Sequence, residues 1–108
     1  ESLGEGSRLA EAYGLSAAGF IEMITQTLFA CPSYQRYGRS IADANHEPGF
    51  KLSLGLKDVD LALDAAGDKG LALPAAGVVR ARMSSAVARG LGERDWSVFA
   101  SLKNSLQP

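Results

Sequence analysis

Between Gly49 and Gly70 the apolar residues fall into two registers of one helix. Leu52, Leu56, Val59, Leu63 and Ala66 follow at helical spacing and make one stripe. Leu54, Leu61 and Ala65 make a second stripe on nearly the opposite side, and Ser53, Lys57, Asp60, Asp64 and Asp68 occupy the polar strip between them. Asp58 stands at the margin of the second stripe. The pattern predicts a helix over 52–69 with Gly70 as its stop. A helix apolar on two sides needs cover on two sides, so this one is expected to be central.

The same reading places helices on either side. Residues 1–13 carry Leu3, Leu9, Ala10 and Tyr13 among Glu5, Arg8 and Glu11, and end at Gly14 followed by the apolar Leu15. No N-cap precedes this helix, which suggests a piece of a longer polypeptide. Gly4 and Gly6 are unfavourable inside a helix by about 1 kcal/mol each, so another backbone is expected to pack closely there. Ser16 is a suitable cap for a helix over 17–30, with Ala17, Phe20, Ile21, Ile24, Leu28 and Cys31 on its apolar stripe. Pro32 separates it from a shorter helix over 33–44 bearing Tyr34, Tyr37 and Ile41. Residues 45–49 form a turn.

Beyond Gly70, Leu71-Ala72-Leu73 reads as an extended link, because Pro74 disfavours helical geometry before it. Pro74 opens a helix over 74–89 that stops at Gly90. Ala75, Val79, Met83, Ala86 and Val87 share one side of it; the small residues Gly77, Ala81, Ser84, Ser85 and Ala88 share another and suit close helix packing. Asp95 caps a last helix over 96–104, and 105–108 is expected to fray. Six helices without strand alternation predict an all-α, single compact multi-helix domain around the helix at 52–69.

Composition narrows the function classes. The chain has 108 residues, enough for one domain. A net charge of −1 with scattered arginines argues against nucleic acid and against a polybasic membrane contact. No apolar run approaches the roughly 20 residues that span a bilayer. The N-terminal residues have neither the basic nor the apolar segment of a signal peptide. The single cysteine, Cys31, cannot form an intrachain disulfide and fits a reducing compartment, so a cytoplasmic location is expected.

Most of the candidate chemistry reduces to structure. Gly90-Leu91-Gly92 follows a helix rather than a strand and lacks a third glycine, so it reads as a helix stop, not a dinucleotide fingerprint. His46 has no partner at ligand spacing, and no metal is expected. Cys31, on the apolar stripe, reads as a buried structural thiol. Lys57 and Asp58 remain. Lys57 has a structural reading as the partner of Asp60 three residues on, although lysine placed N-terminal to aspartate is the weaker orientation. Asp58 beside Leu54, Leu61 and Ala65 must find hydrogen-bond donors or lose hydration.

Residues 48–63, with Gly49-Phe50 followed at six residues' distance by Lys57-Asp58, resemble the central helix of the C-terminal domain of β-hydroxyacid dehydrogenases. This is the 3-hydroxyisobutyrate dehydrogenase family, related to 6-phosphogluconate dehydrogenase. Residues 10–15 resemble the family's end-of-helix segment. Leu73-Pro74 with the long helix after it, and 89–97, resemble its closing pattern. The resemblance implies an NAD- or NADP-binding Rossmann domain upstream of residue 1 and a helical domain that makes a homodimer. Lys57 would lie near the cofactor, and Phe50 and Asp58 would line the substrate side. The family's catalytic lysine and glycine-rich loop would precede Glu1, so these 108 residues alone are expected to be inactive. The implied reaction is hydride transfer between NAD(P) and a small β-hydroxy acid or semialdehyde. An imine reductase domain and a non-catalytic helical dimerisation module remain alternatives on the same scaffold.

Overall fold

The structure is a computed structural model that describes residues 1–103. Within them lie five α-helices, α1 (Ser2–Ala12), α2 (Ala17–Thr25), α3 (Pro32–Ala42), α4 (Leu52–Gly67) and α5 (Pro74–Ala88), and a 3₁₀ helix, η1 (Trp96–Ser101). The described residues contain no strand, only an isolated bridge between Lys51 and Asp95, so the all-α expectation holds. The end of the last predicted helix at Asn104 and the tail after it lie outside the described residues.

The helix boundaries follow from local chemistry. The Ser16 hydroxyl accepts the Gly19 N–H at 3.0 Å, capping α2. Pro32 and Pro74 open α3 and α5. Each of the three glycine stops has positive φ: Gly14 at 82°, Gly70 at 66° and Gly90 at 83°. The apolar residue after each glycine returns its N–H to a carbonyl in the last turn, Leu15 to Ala10, Leu71 to Ala66 and Leu91 to Ala86. Together with the glycine's own bond this is a Schellman closure, which satisfies carbonyls that the helix leaves over.

Contacts divide the chain into two units, Glu1–His46 with the segment from Ala100, and Glu47–Phe99. In the first, α1, α2 and α3 pack on one another. A β-carbon on Gly4 would overlap the Ala100 carbonyl, so this glycine is fixed by a backbone neighbour, as expected. Gly6 differs: its neighbour is the Phe20 ring, 2.8 Å from where a β-carbon would stand. Arg8 donates to the same Ala100 carbonyl, and buried His46 meets the Ser101 hydroxyl at 3.0 Å through Nε2. In the second unit α4 packs on α5, and Leu52 and Met83 are its most fully buried large side chains.

Three expectations are corrected. Helix α2 stops at Thr25 rather than near residue 30, so its stripe does not extend to Leu28 and Cys31. Leu28 is 92% exposed, and Cys31 is an exposed thiol before Pro32, not a buried one. The last helix is a 3₁₀ turn rather than an α-helix: the Val98 N–H closes on the Asp95 carbonyl three residues back at 3.0 Å, while Trp96 donates to the Phe50 carbonyl at 2.7 Å and Ser97 to the Asp95 carboxylate at 3.1 Å. The second stripe of α4 is not sandwiched, since Leu54 and Leu61 are 46% and 56% exposed.

Candidate functional site

The foot of α4 is built by two segments that are distant in sequence. The first N–H groups of a helix need partners from outside its own ladder. Here the chain after Gly90 supplies two: Leu52 donates to the Arg94 carbonyl at 2.9 Å and Ser53 to the Gly92 carbonyl at 3.0 Å. Leu54 and Gly55 both donate to the Lys51 carbonyl, at 3.0 and 3.1 Å. With these donors engaged, the N-terminus of α4 offers no ready anion cradle. The Lys51 ammonium pairs with Glu93 at 2.5 Å, an exposed bridge between the same two segments.

Asp95 completes the junction. Its Oδ2 accepts the N–H groups of Gly49 and Phe50, at 3.1 and 3.0 Å. Its Oδ1 accepts the N–H and the hydroxyl of Ser97, at 3.1 and 2.7 Å. Burial opposes the charged form, but the bonds from the Ser97 hydroxyl, the Phe50 N–H, the Ser97 N–H and the Gly49 N–H outweigh it and hold the carboxyl below the ordinary aspartate range. The role of Asp95 as a cap was readable from sequence; its grip on residues 45 positions away was not. No local signal marks a buried carboxylate that joins two turns.

Lys57 and Asp58 are both exposed on α4. At helical spacing Leu54, Leu61 and Ala65 lie between them, so cation and carboxylate flank an uncovered apolar stripe. The Phe50 ring folds back to α4, with its edge 3.5 Å from the β-carbon position of Gly55. Asp58 is three residues beyond Gly55 and therefore on the same side, one turn higher. Phe50 and Asp58 thus share one margin of the stripe, and Lys57 has the other.

The ion pair foreseen for Lys57 does not form. Asp60 is bonded instead to Arg80 of α5, Nε to Oδ1 at 2.5 Å. Helix packing brings a guanidinium to Asp60 and leaves the Lys57 ammonium in solvent, where no carboxylate among the described residues pairs with it. Asp58 meets no protein donor among the described residues either; as an exposed group it keeps its hydration, so the expected desolvation does not arise. Chemically, this side of the second unit offers one mobile cation, one acceptor carboxylate and an aromatic wall around a strip of leucine.

Three comparisons bear on this arrangement. In the solved structures, a crystal structure of 3-hydroxyisobutyrate dehydrogenase from Salmonella typhimurium superposes with a TM-score of 0.84 over 92% of this chain. At 21% identity that likeness shows the fold. Among curated proteins, an uncharacterized oxidoreductase, YfjR, of Bacillus subtilis (strain 168) is 43% identical over 100 residues, 92% of this chain. The chain spans 35% of the length of each of these two proteins. The family described as the NAD-binding domain of NADP-dependent 3-hydroxyisobutyrate dehydrogenase matches residues 2–102, nearly the whole chain, and the chain therefore belongs to that family.

Proposed function

We propose that this chain is the helical C-terminal domain of an NAD(P)-dependent oxidoreductase, acting with an upstream Rossmann domain on a small β-hydroxy acid or its semialdehyde. The observation that carries the reading is the side of α4 described above. Lys57 is exposed and the carboxylate three residues on, Asp60, is paired with Arg80, while Phe50 and Asp58 stand across an uncovered apolar stripe. A lysine that neutralises nothing within its own unit is available to an anionic ligand.

The residues present fit a nicotinamide dinucleotide at its edge rather than at its core. The chain has no glycine-rich phosphate loop, and the first turn of α4 is closed by carbonyls, so the bulk of the dinucleotide is held by the other domain. Lys57 contributes a charge and a donor to the bound cofactor. When bound, that cofactor donates or accepts the hydride. Phe50 walls the substrate carbon skeleton from water, and Asp58 accepts a hydrogen bond from a substrate hydroxyl. The lysine that moves the proton belongs to the preceding domain, so these 108 residues alone turn over no substrate.

Self-association is part of the same reading. Leu9, Tyr13, Leu15 and Leu28 are exposed in the first unit, large apolar side chains available for a second copy to cover. The test is direct. In the full-length protein, Lys57→Ala weakens NADP(H) binding on the order of tenfold with the melting temperature nearly unchanged; equal affinity in mutant and parent overturns the assignment. Sedimentation of the chain gives a dimer or larger species, and a clean monomer at high concentration contradicts the interface.

A further inference from the structure

Both backbone groups of Phe50 are held by consecutive residues of the distant segment. Its N–H is bonded to the Asp95 carboxylate at 3.0 Å, and its carbonyl accepts the Trp96 N–H at 2.7 Å. The two peptide planes that flank the Phe50 Cα are each tethered, which fixes the direction of its Cα–Cβ bond, and the ring lies against Gly55. There the ring edge and Trp96 Cβ both lie 3.5 Å from where a β-carbon on Gly55 would stand, at van der Waals distance from α4. Asp95 itself is buried and its carboxylate accepts from four protein donors.

We propose that Asp95 is the positioning residue of this site: its carboxylate holds the Gly49-Phe50 backbone at the foot of α4, thereby fixes the Phe50 ring beside Asp58, and so governs substrate affinity without touching substrate. This rests on the reading of Phe50 as the substrate-side wall. The two carboxylate oxygens divide the work. Oδ1 serves η1 through Ser97, and Oδ2 serves the turn that carries Phe50. The division allows each half to be removed separately. Asp95→Ser keeps a short hydroxyl able to cap η1 but withdraws the oxygen that reaches residues 49 and 50. Ser97→Ala removes the strongest bond on the other oxygen and leaves the Phe50 anchor alone.

The experiment is a double-mutant cycle in the full-length protein, with 3-hydroxyisobutyrate as the substrate probe and NAD and NADP each supplied. Asp95→Ser raises KM for the acid on the order of tenfold and leaves kcat within a few-fold. Ser97→Ala leaves KM unchanged. In the Phe50→Ala background Asp95→Ser adds nothing further, because the ring it positions is gone. Full additivity of the two changes, or an unaltered KM in Asp95→Ser beside a raised one in Phe50→Ala, overturns the inference alone. An unaltered KM in Phe50→Ala overturns the underlying reading of the site as well. A readout independent of turnover accompanies the cycle. Amide hydrogen exchange in the chain accelerates at Gly49 and Phe50 in Asp95→Ser but not in mid-α5, and unchanged protection at those two amides also overturns the proposal.

Discussion

The Asp95 carboxylate accepts the Phe50 N–H at 3.0 Å across 45 residues of chain. With the Gly49 N–H on the same oxygen and the Trp96 N–H on the Phe50 carbonyl, this bond ties the Gly-Phe turn before α4 to the Asp-Trp-Ser turn that opens η1. The two segments that carry the family resemblance most specifically are therefore one structural object. Each supplies what the other lacks, donors from 49–53 and acceptors from 92–95.

That junction makes the second unit sensitive to acid. The Asp95 carboxyl is held below its ordinary range, so its contribution to stability is fully present above the unfolded-state value of about 3.9. It is lost as pH falls through the lowered folded-state value. Urea titrations followed by the fluorescence of the single tryptophan should show stability falling below about pH 4. Asp95→Asn should be less stable than the parent at pH 7 and show a shallower loss across that acid range. Equal pH slopes in the two proteins would contradict this account.

The pair between Arg80 and Asp60 is half exposed on both sides, so it contributes little. Arg80→Ala should destabilise by at most about 1 kcal/mol, with an effect that shrinks in salt. Its informative consequence lies elsewhere. Freed of Arg80, Asp60 becomes available to Lys57 three residues before it, and by that competition NADP(H) affinity in the full-length protein should fall. Unchanged affinity in Arg80→Ala would show that the partner of Asp60 has no bearing on Lys57.

Two glycines in helices should respond in opposite senses. A β-carbon at Gly4 has no room beside the Ala100 carbonyl, and backbone cannot step aside as a flexible side chain does. Gly4→Ala should therefore destabilise by about 1–3 kcal/mol, the usual range for overpacking. Around Gly77 nothing lies within 4 Å. Gly77→Ala should stabilise by about 0.5–1 kcal/mol through helix propensity. Chemical denaturation of both variants checks the pair, and the same sign for both would refute it.

Core truncations should be severe where burial is complete. Leu52→Ala and Met83→Ala each leave a void between α4 and the elements against it and should cost about 2–5 kcal/mol. Leu61→Ala, at an exposed position, should cost well under 1 kcal/mol in the isolated chain. A large loss at Leu61 there would mean that a second copy already covers the stripe, which sedimentation of the same sample would reveal.

The sequence by itself determined where most of the helices start and where three of them stop. Ser16, Pro32 and Pro74 start them and Gly14, Gly70 and Gly90 stop them, because capping, fixed proline φ and left-handed glycine act over four or five residues and need no tertiary neighbour. The two apolar stripes of α4 were legible for the same reason, since helical spacing alone sorts residues onto faces. Only the tertiary structure decided which stripe was covered, which acid Arg80 would take from Lys57, and where the second oxygen of Asp95 would reach. Cys31 shows the limit: a stripe extrapolated past Thr25 placed it inside, and the early end of α2 put it in solvent. A side chain's local pattern states what it can bond; its actual partner depends on which distant segment the packed helices bring within 3 Å of it.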